Sequence, residues 1–195
     1  MAASKVQICN LGLSRVEGAN LIQSLTEATV EARLCNAAFD IAVASVLAEI
    51  DWPFARKQVA MQLLTETVTG HTYVYRQPTD CLVPRKIYSS DDDVKIPFKM
   101  GLSSTGNFPI ILTEEGNAEL IYTASVTNEG VFPTQFVDAL AWRIAGEVAI
   151  GVTGDTQTAQ QMMKSFAAVI GMAKATSANA EVETPSSSSN LSKAR

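Results

Sequence analysis

One stretch limits more than any other what this chain can fold into. It runs from Ser24 to Leu63 and reads SLTEATVEARLCNAAFDIAVASVLAEIDWPFARKQVAMQL. Ser24 and Glu27 have the spacing of a capping box, with Thr26 as a competing cap, so a helix is expected to begin here. Cys35, Phe39, Ala42, Val46 and Ile50 then recur at spacings of three and four and mark one apolar face. Ala38, Ile41 and Leu47 cover much of the remainder, and between Ala37 and Ala48 only Asp40 and Ser45 are polar. A helix apolar nearly all round has to be buried nearly all round. In a small chain that requires a central helix, or one with a face against another subunit. Asp40, Glu49 and Asp51 exclude a membrane span. Pro53 cannot continue a regular helix, because it lacks the amide donor and clashes with the preceding turn; Trp52 before it is pushed out of helical geometry as well. A kink is expected there, with the helix resuming over 54–66.

The flanks suggest the rest of the architecture. Val6, Ile8, Leu11 and Leu13 outline a first helix that Gly12 and the polar residues 14–20 would end. Residues 70–127 carry short β-prone runs, such as Tyr73-Val74-Tyr75, Leu82-Val83, Ile110-Ile111-Leu112 and the run from Leu120 to Val126. Turn residues punctuate them at Pro78, Asp91–Asp93, 101–106 and 114–117. Pro97 and Pro109 point to edge or irregular strands. From Pro133 the helical period returns, with Val137, Leu140, Ala141, Ile144, Ala145 and Val148 on one stripe and Gly151 and Gly154 as stops. Asp155 or Thr156 can cap a last helix whose inner face holds Ala159, Met162, Met163, Phe166, Ile170 and Ala173. After about Ala175 the chain turns small and polar, with four serines in succession, and should be disordered in isolation.

At 195 residues the chain has the length of one domain with a substantial core. Its net charge of −5 disfavours broad electrostatic binding to nucleic acid or anionic membrane. Three widely spaced cysteines, Cys9, Cys35 and Cys81, read as buried free thiols of a reducing compartment. The start of the chain does not resemble a signal peptide, and no apolar run reaches the length of a membrane span. Synthesis in the cytosol is therefore expected.

Residues suited to chemistry are few. His71 is the sole histidine and sits at an expected helix-to-sheet turn. Asp91-Asp92-Asp93 lacks the spaced pattern of a calcium loop and reads as a solvated turn. Residues 151–156 (GVTGDT) resemble a phosphate cradle only loosely, because the P-loop lysine is missing and Asp155 would repel an anion. Arg56, Lys57, Arg85 and Lys86 are scattered basic residues. Neither a nucleophile motif nor a histidine-based metal site can be assembled, so no catalytic residue, metal or cofactor is expected.

Several segments taken in order resemble a known family. They are Ile8–Leu13 (ICNLGL), Leu21–Leu25 (LIQSL), Glu31–Cys35 (EARLC) and Trp52–Lys57 (WPFARK), then Tyr75–Leu82 (YRQPTDCL) and Phe132–Ala141 (FPTQFVDALA). This series is similar to the head-to-tail adaptors of tailed bacteriophages, including the tail tubular protein A or gatekeeper group, over roughly residues 6–175. Gln77 stands where a leucine is common, Ile41–Ser45 lacks a frequent arginine, and Asn190-Leu191 falls where a tryptophan is frequent.

The resemblance implies an α+β fold: an antiparallel helical bundle of about four to five helices with an inserted small antiparallel β-domain and a flexible C-terminal arm. The expected divisions are 1–69 helical, 70–130 β-rich, 131–175 helical and 176–195 arm. It further implies a non-enzymatic virion protein at the head-tail junction, assembled in the host cytoplasm. Such subunits form a ring, commonly of twelve copies, between the portal protein and the tail nozzle or other tail proteins. During genome ejection phage DNA passes through the lumen without sequence recognition. Phe39, Val43, Val46 and Ile50 would then divide between the intrachain core and a subunit contact. Trp52, Pro53 and Phe54 would anchor the kink in the core. Asn190, Leu191, Lys193 and Arg195 would lie on an arm that docks on the portal. Two other readings remain open at this point: a tail-associated carboxylate-based glycan hydrolase, and a small nucleic-acid-binding protein.

Overall fold

The computed structural model describes residues 3–91 and 94–181. It is a mixed α+β protein with four α-helices and two antiparallel sheets among the described residues. Helix α1 (Lys5–Leu13) starts on a full capping box: Gln7 N–H donates to Ser4 Oγ, and Ser4 N–H donates to Gln7 Oε1. Gly12 does not end this helix. It lies inside it, against α3 (Thr134–Thr153), where an added Cβ would come within 3.0 Å of the Ala141 carbonyl oxygen. The glycine is there for close helix approach rather than for a stop.

Helix α2 spans Val30–Glu49 and is capped by Thr29, whose hydroxyl accepts from Ala32 N–H. The expected Ser24 start is corrected by five residues. Ser24 and Glu27 do interact as a capping pair would, with Ser24 N–H donating to the Glu27 carboxylate, but they close a turn before the helix. After α2, Trp52 leads into a short 3₁₀ turn, Pro53–Ala55. The chain does not resume as a helix. Strand β1 (Arg56–Ala60) follows at once, pairs along its whole length with β7 (Glu119–Ala124), and is succeeded by β2 (Gln62–Leu63). Val59, Met61 and Leu63 fit both an alternating pattern and a helical one. Once Pro53 has broken the helix, a new one needs a fresh nucleus. The hydrogen bonds offered by β7 need none. The β part therefore begins well before residue 70.

Strands β3 (Tyr73–Arg76), β4 (Cys81–Ile87), β5 (Phe98–Leu102) and β6 (Pro109–Thr113) complete two sheets, in the orders β1-β7-β4 and β2-β3-β6-β5. Pro84 sits on an edge strand beside two register shifts, as proline in a sheet requires. Pro97 precedes the edge strand β5. Pro109, by contrast, opens the central strand β6, where the first position tolerates a missing donor. Gly101 lies within β5 rather than in a turn.

Helix α3 carries the expected stripe inward, with Leu140, Ala141, Ile144, Ala145 and Val148 fully buried. Gly154, in the left-handed region at φ 71°, is its C-cap. Gly151 is not a stop; it lies within α3 facing Leu34 of α2. Helix α4 (Thr156–Glu181) continues past residue 175 into the segment expected to be an arm. Asn190, Leu191, Lys193 and Arg195 lie outside the described residues, as do Asp92 and Asp93.

All four helices contribute to one core, which holds Ile8, Leu13, Phe39, Val46, Trp52, Phe136, Ile144, Phe166 and Ile170. A second core lies between the sheets, where Tyr75 and Ile111 of one meet Ile87, Leu120 and Tyr122 of the other. Val74, Ile110 and Leu112 form a third, small cluster on the other face of the four-stranded sheet.

Candidate functional site

The side chains that could bear chemistry are largely engaged in holding the fold. Arg85 on β4 is the clearest case. Its Nη2 donates to the carbonyls of Leu47, Ala48 and Ile50, the last at 2.8 Å, and its Nε donates to Thr123 Oγ1 at 2.9 Å. These carbonyls close the C-terminal end of α2, which has no further turn to satisfy them and carries the negative end of the helix dipole. One guanidinium thus neutralises the end of a helix and ties it to the sheet. Arg56 pairs with Asp51 at 2.9 Å. Lys57 pairs with Asp80 at 2.6 Å, and Asp80 also accepts from the Tyr122 hydroxyl at 2.8 Å. The Lys57 ammonium and the Tyr122 hydroxyl hold the Asp80 carboxyl below its ordinary value. Burial, then Asp80, pushes the Tyr122 phenol up. Arg56, Lys57, Arg85 and Lys86 do meet, around a 450 Å³ depression that they share with Asp51, Gln58 and Ile121. Sequence spacing alone gave no sign that they meet.

His71 lies 3.5 Å from Glu114. The same carboxylate accepts from the hydroxyl and the backbone N–H of Thr72, and these bonds hold it below the usual carboxylate range. This pairing fastens the turn before β3 to the end of β6. Asp155 accepts from the N–H groups of Gln157 and Thr158 and from the Thr158 hydroxyl. The first turn of α4 is therefore already occupied by a carboxylate, and the GVTGDT segment is a helix end followed by a cap. Cys9 and Cys35 are fully buried free thiols. A side-chain hydrogen bond between Cys9 and Cys35 raises the first thiol, with burial adding to the effect, and lowers the second. Burial pushes Cys81 up to about 11. Among the described residues no three His, Cys, Asp or Glu side chains are grouped as a metal ion would require.

Four residues in and just after α2 are expected to divide between the intrachain core and a subunit contact. Phe39, Val43, Val46 and Ile50 are all buried in the chain's own helical core. Phe39 and Val43 border a 200 Å³ cleft facing residues 125–127. The outward side of α2 instead carries Ala37 and Ala48, together with Ile41, which is 69% exposed.

Trp52 is buried, and its indole N–H donates to the Val46 carbonyl at 2.8 Å. Phe136 meets it edge-on at 5.2 Å, and Phe54 packs on Phe136 and Phe132. Pro53 occupies the first position of the 3₁₀ turn beneath them.

Sequence reasoning missed an open apolar feature. A groove of about 740 Å³ runs between α3 and α4, lined by Gly146, Ile150, Ala159 and Met163, with Glu147 and Lys164 among its polar residues. Met163 reads as core by period. It borders the groove because Gly146 opposite has no side chain to meet it; a Cβ there would come within 2.6 Å of the Met163 sulfur.

No protein-family model and no curated protein matches this chain. Any functional reading rests on the residues themselves.

Proposed function

We propose that the chain is a structural head-to-tail adaptor of a tailed phage, a non-enzymatic virion protein. In this reading copies assemble into a ring, commonly of twelve, between the portal and the tail nozzle, and DNA passes through the lumen. The helices act as an antiparallel bundle carrying the two sheets as an inserted β-domain, and the segment after α4 serves as the portal-docking arm. The reading is supported by the ordered series of family-like segments from Ile8 to Ala141. The single structural observation that favours it is the open apolar groove between α3 and α4, which leaves Ile150 52% exposed. A subunit that works through contacts needs such surface, and obligate interfaces bury apolar area of this kind.

Light scattering coupled to size exclusion, with and without purified portal protein, tests the proposal. The expected result is a ring-sized mass, or co-migration with portal rings. A chain that stays below ring size at every concentration and never joins portal overturns it.

A further inference from the structure

Four strands form the outer edges of the two sheets, and three of them are guarded. Strand β1 carries Arg56 and Lys57, β4 carries Pro84 and two register shifts, and β2 is two residues long. Charge, proline, bulges and shortness are the usual means of keeping an edge from pairing with another chain. Strand β5 differs. It pairs with β6 over five residues with no register shift, and it shows Met100 and Leu102, 56% and 63% exposed.

The hydrogen-bond phase of β5 can be read from its end. Ser103 N–H donates to the Phe108 carbonyl at 3.0 Å, which makes Ser103–Phe108 a bonded rung. Antiparallel rungs alternate, so Gly101–Ile110 and Lys99–Leu112 are bonded as well. Pro109, which has no N–H, falls opposite Leu102 on an unbonded rung, in keeping with this phase. The backbone groups of Phe98, Met100 and Leu102 therefore point away from β6, and alternation puts their side chains on one face.

We propose that β5 is a self-docking edge, through which two copies of this chain pair antiparallel about a two-fold axis at Met100. The sequence FKMGL is complementary to itself in that register. Met100 meets Met100 of the second copy, Phe98 meets Leu102, and all three outward backbone sites form bonded rungs. Lys99, the one charge, falls opposite Gly101, which has no side chain, so no like charges stand directly across the pair. Pairing would join the two four-stranded sheets into one of eight strands. A two-fold contact closes at two copies. It is therefore distinct from the lateral contacts of a ring, and it describes the chain alone, before any assembly on a partner.

Sedimentation of the full chain over a wide concentration range, together with oxidative cross-linking, tests this. Wild type is expected to be a reversible dimer. Met100→Pro removes an outward N–H while leaving the β5–β6 rungs intact, and should weaken the dimer roughly tenfold or more, from the loss of its central hydrogen bonds. Met100→Cys should cross-link to itself, because the Cα atoms of a bonded rung lie within disulfide reach. Leu102→Cys, equally exposed but opposite Phe98, should not. A wild-type chain that remains monomeric at the highest concentration overturns the proposal. So does a dimer in which Met100→Cys fails to cross-link, or in which Leu102→Cys cross-links equally well. The cysteine pair keeps the test valid even if Met100→Pro disturbs folding.

Discussion

At the scale of single residues, much of the stability of this protein rests on polar side chains that bond to backbone. Arg85 is expected to be the most costly of them to lose. Arg85→Ala strands three carbonyls at the end of α2 and the Thr123 hydroxyl, and should destabilise the fold by about 2–3 kcal/mol in urea melts. Arg85→Lys should recover only part of this, because a single ammonium cannot reproduce the guanidinium fork. Asp80 makes stability depend on pH with a definite sign. Its folded-state value is lowered, so its contribution is fully present above the ordinary carboxylate range near pH 4 and is lost as pH falls through the lower folded value. Asp80→Asn should therefore be less stable than wild type at neutral pH, and the gap should close as pH falls below the ordinary carboxylate range in acid titrations of thermal stability. A gap that is constant with pH would contradict the role given to the Lys57 and Tyr122 contacts.

At the scale of elements, the same residue type carries opposite meanings in different helices. Gly12 and Gly171 both sit in helices, where alanine is intrinsically favoured over glycine by about 1 kcal/mol. A Cβ at Gly171 would meet nothing within 4 Å, so Gly171→Ala should raise the melting temperature. At Gly12 the new atom would press on the Ala141 carbonyl of a packed helix, so Gly12→Ala should lower it. Sequence could not separate the two, because close approach is a property of two elements.

The same limit explains what was legible and what was not. The inward stripe of α3, the Asp155 cap and the break at Trp52-Pro53 are local patterns, and each was readable. Strand β1 reads as a continuing helix in the sequence because Arg56–Ala60 has no strong pattern of its own and is fixed by β7, some sixty residues away. The burial of Phe39, Val43, Val46 and Ile50 on one side of α2 was readable as an apolar face. Whether that face met its own chain or another was not, since the covering residues come from elements far along the sequence. The α3–α4 groove was illegible for a related reason: it is a gap left by Gly146.

At the scale of the whole molecule, the adaptor proposal separates surface from core. Ile150→Glu at the exposed groove should leave thermal stability nearly unchanged, within about 0.5 kcal/mol, while abolishing ring formation or portal binding by light scattering. Trp52→Ala should do the reverse of what a surface change does, costing about 3–5 kcal/mol of folding stability through the aromatic cluster it seats. Trp52 and Trp142 are the only two tryptophans, and both pack in the helical core, whereas the core between the sheets is built around tyrosines. The protein thus carries its own pair of optical labels. Emission excited selectively at tryptophan follows the helices alone, and tyrosine absorbance follows the sheets. Melting curves recorded both ways on one sample would show directly whether the two halves come apart together or in turn.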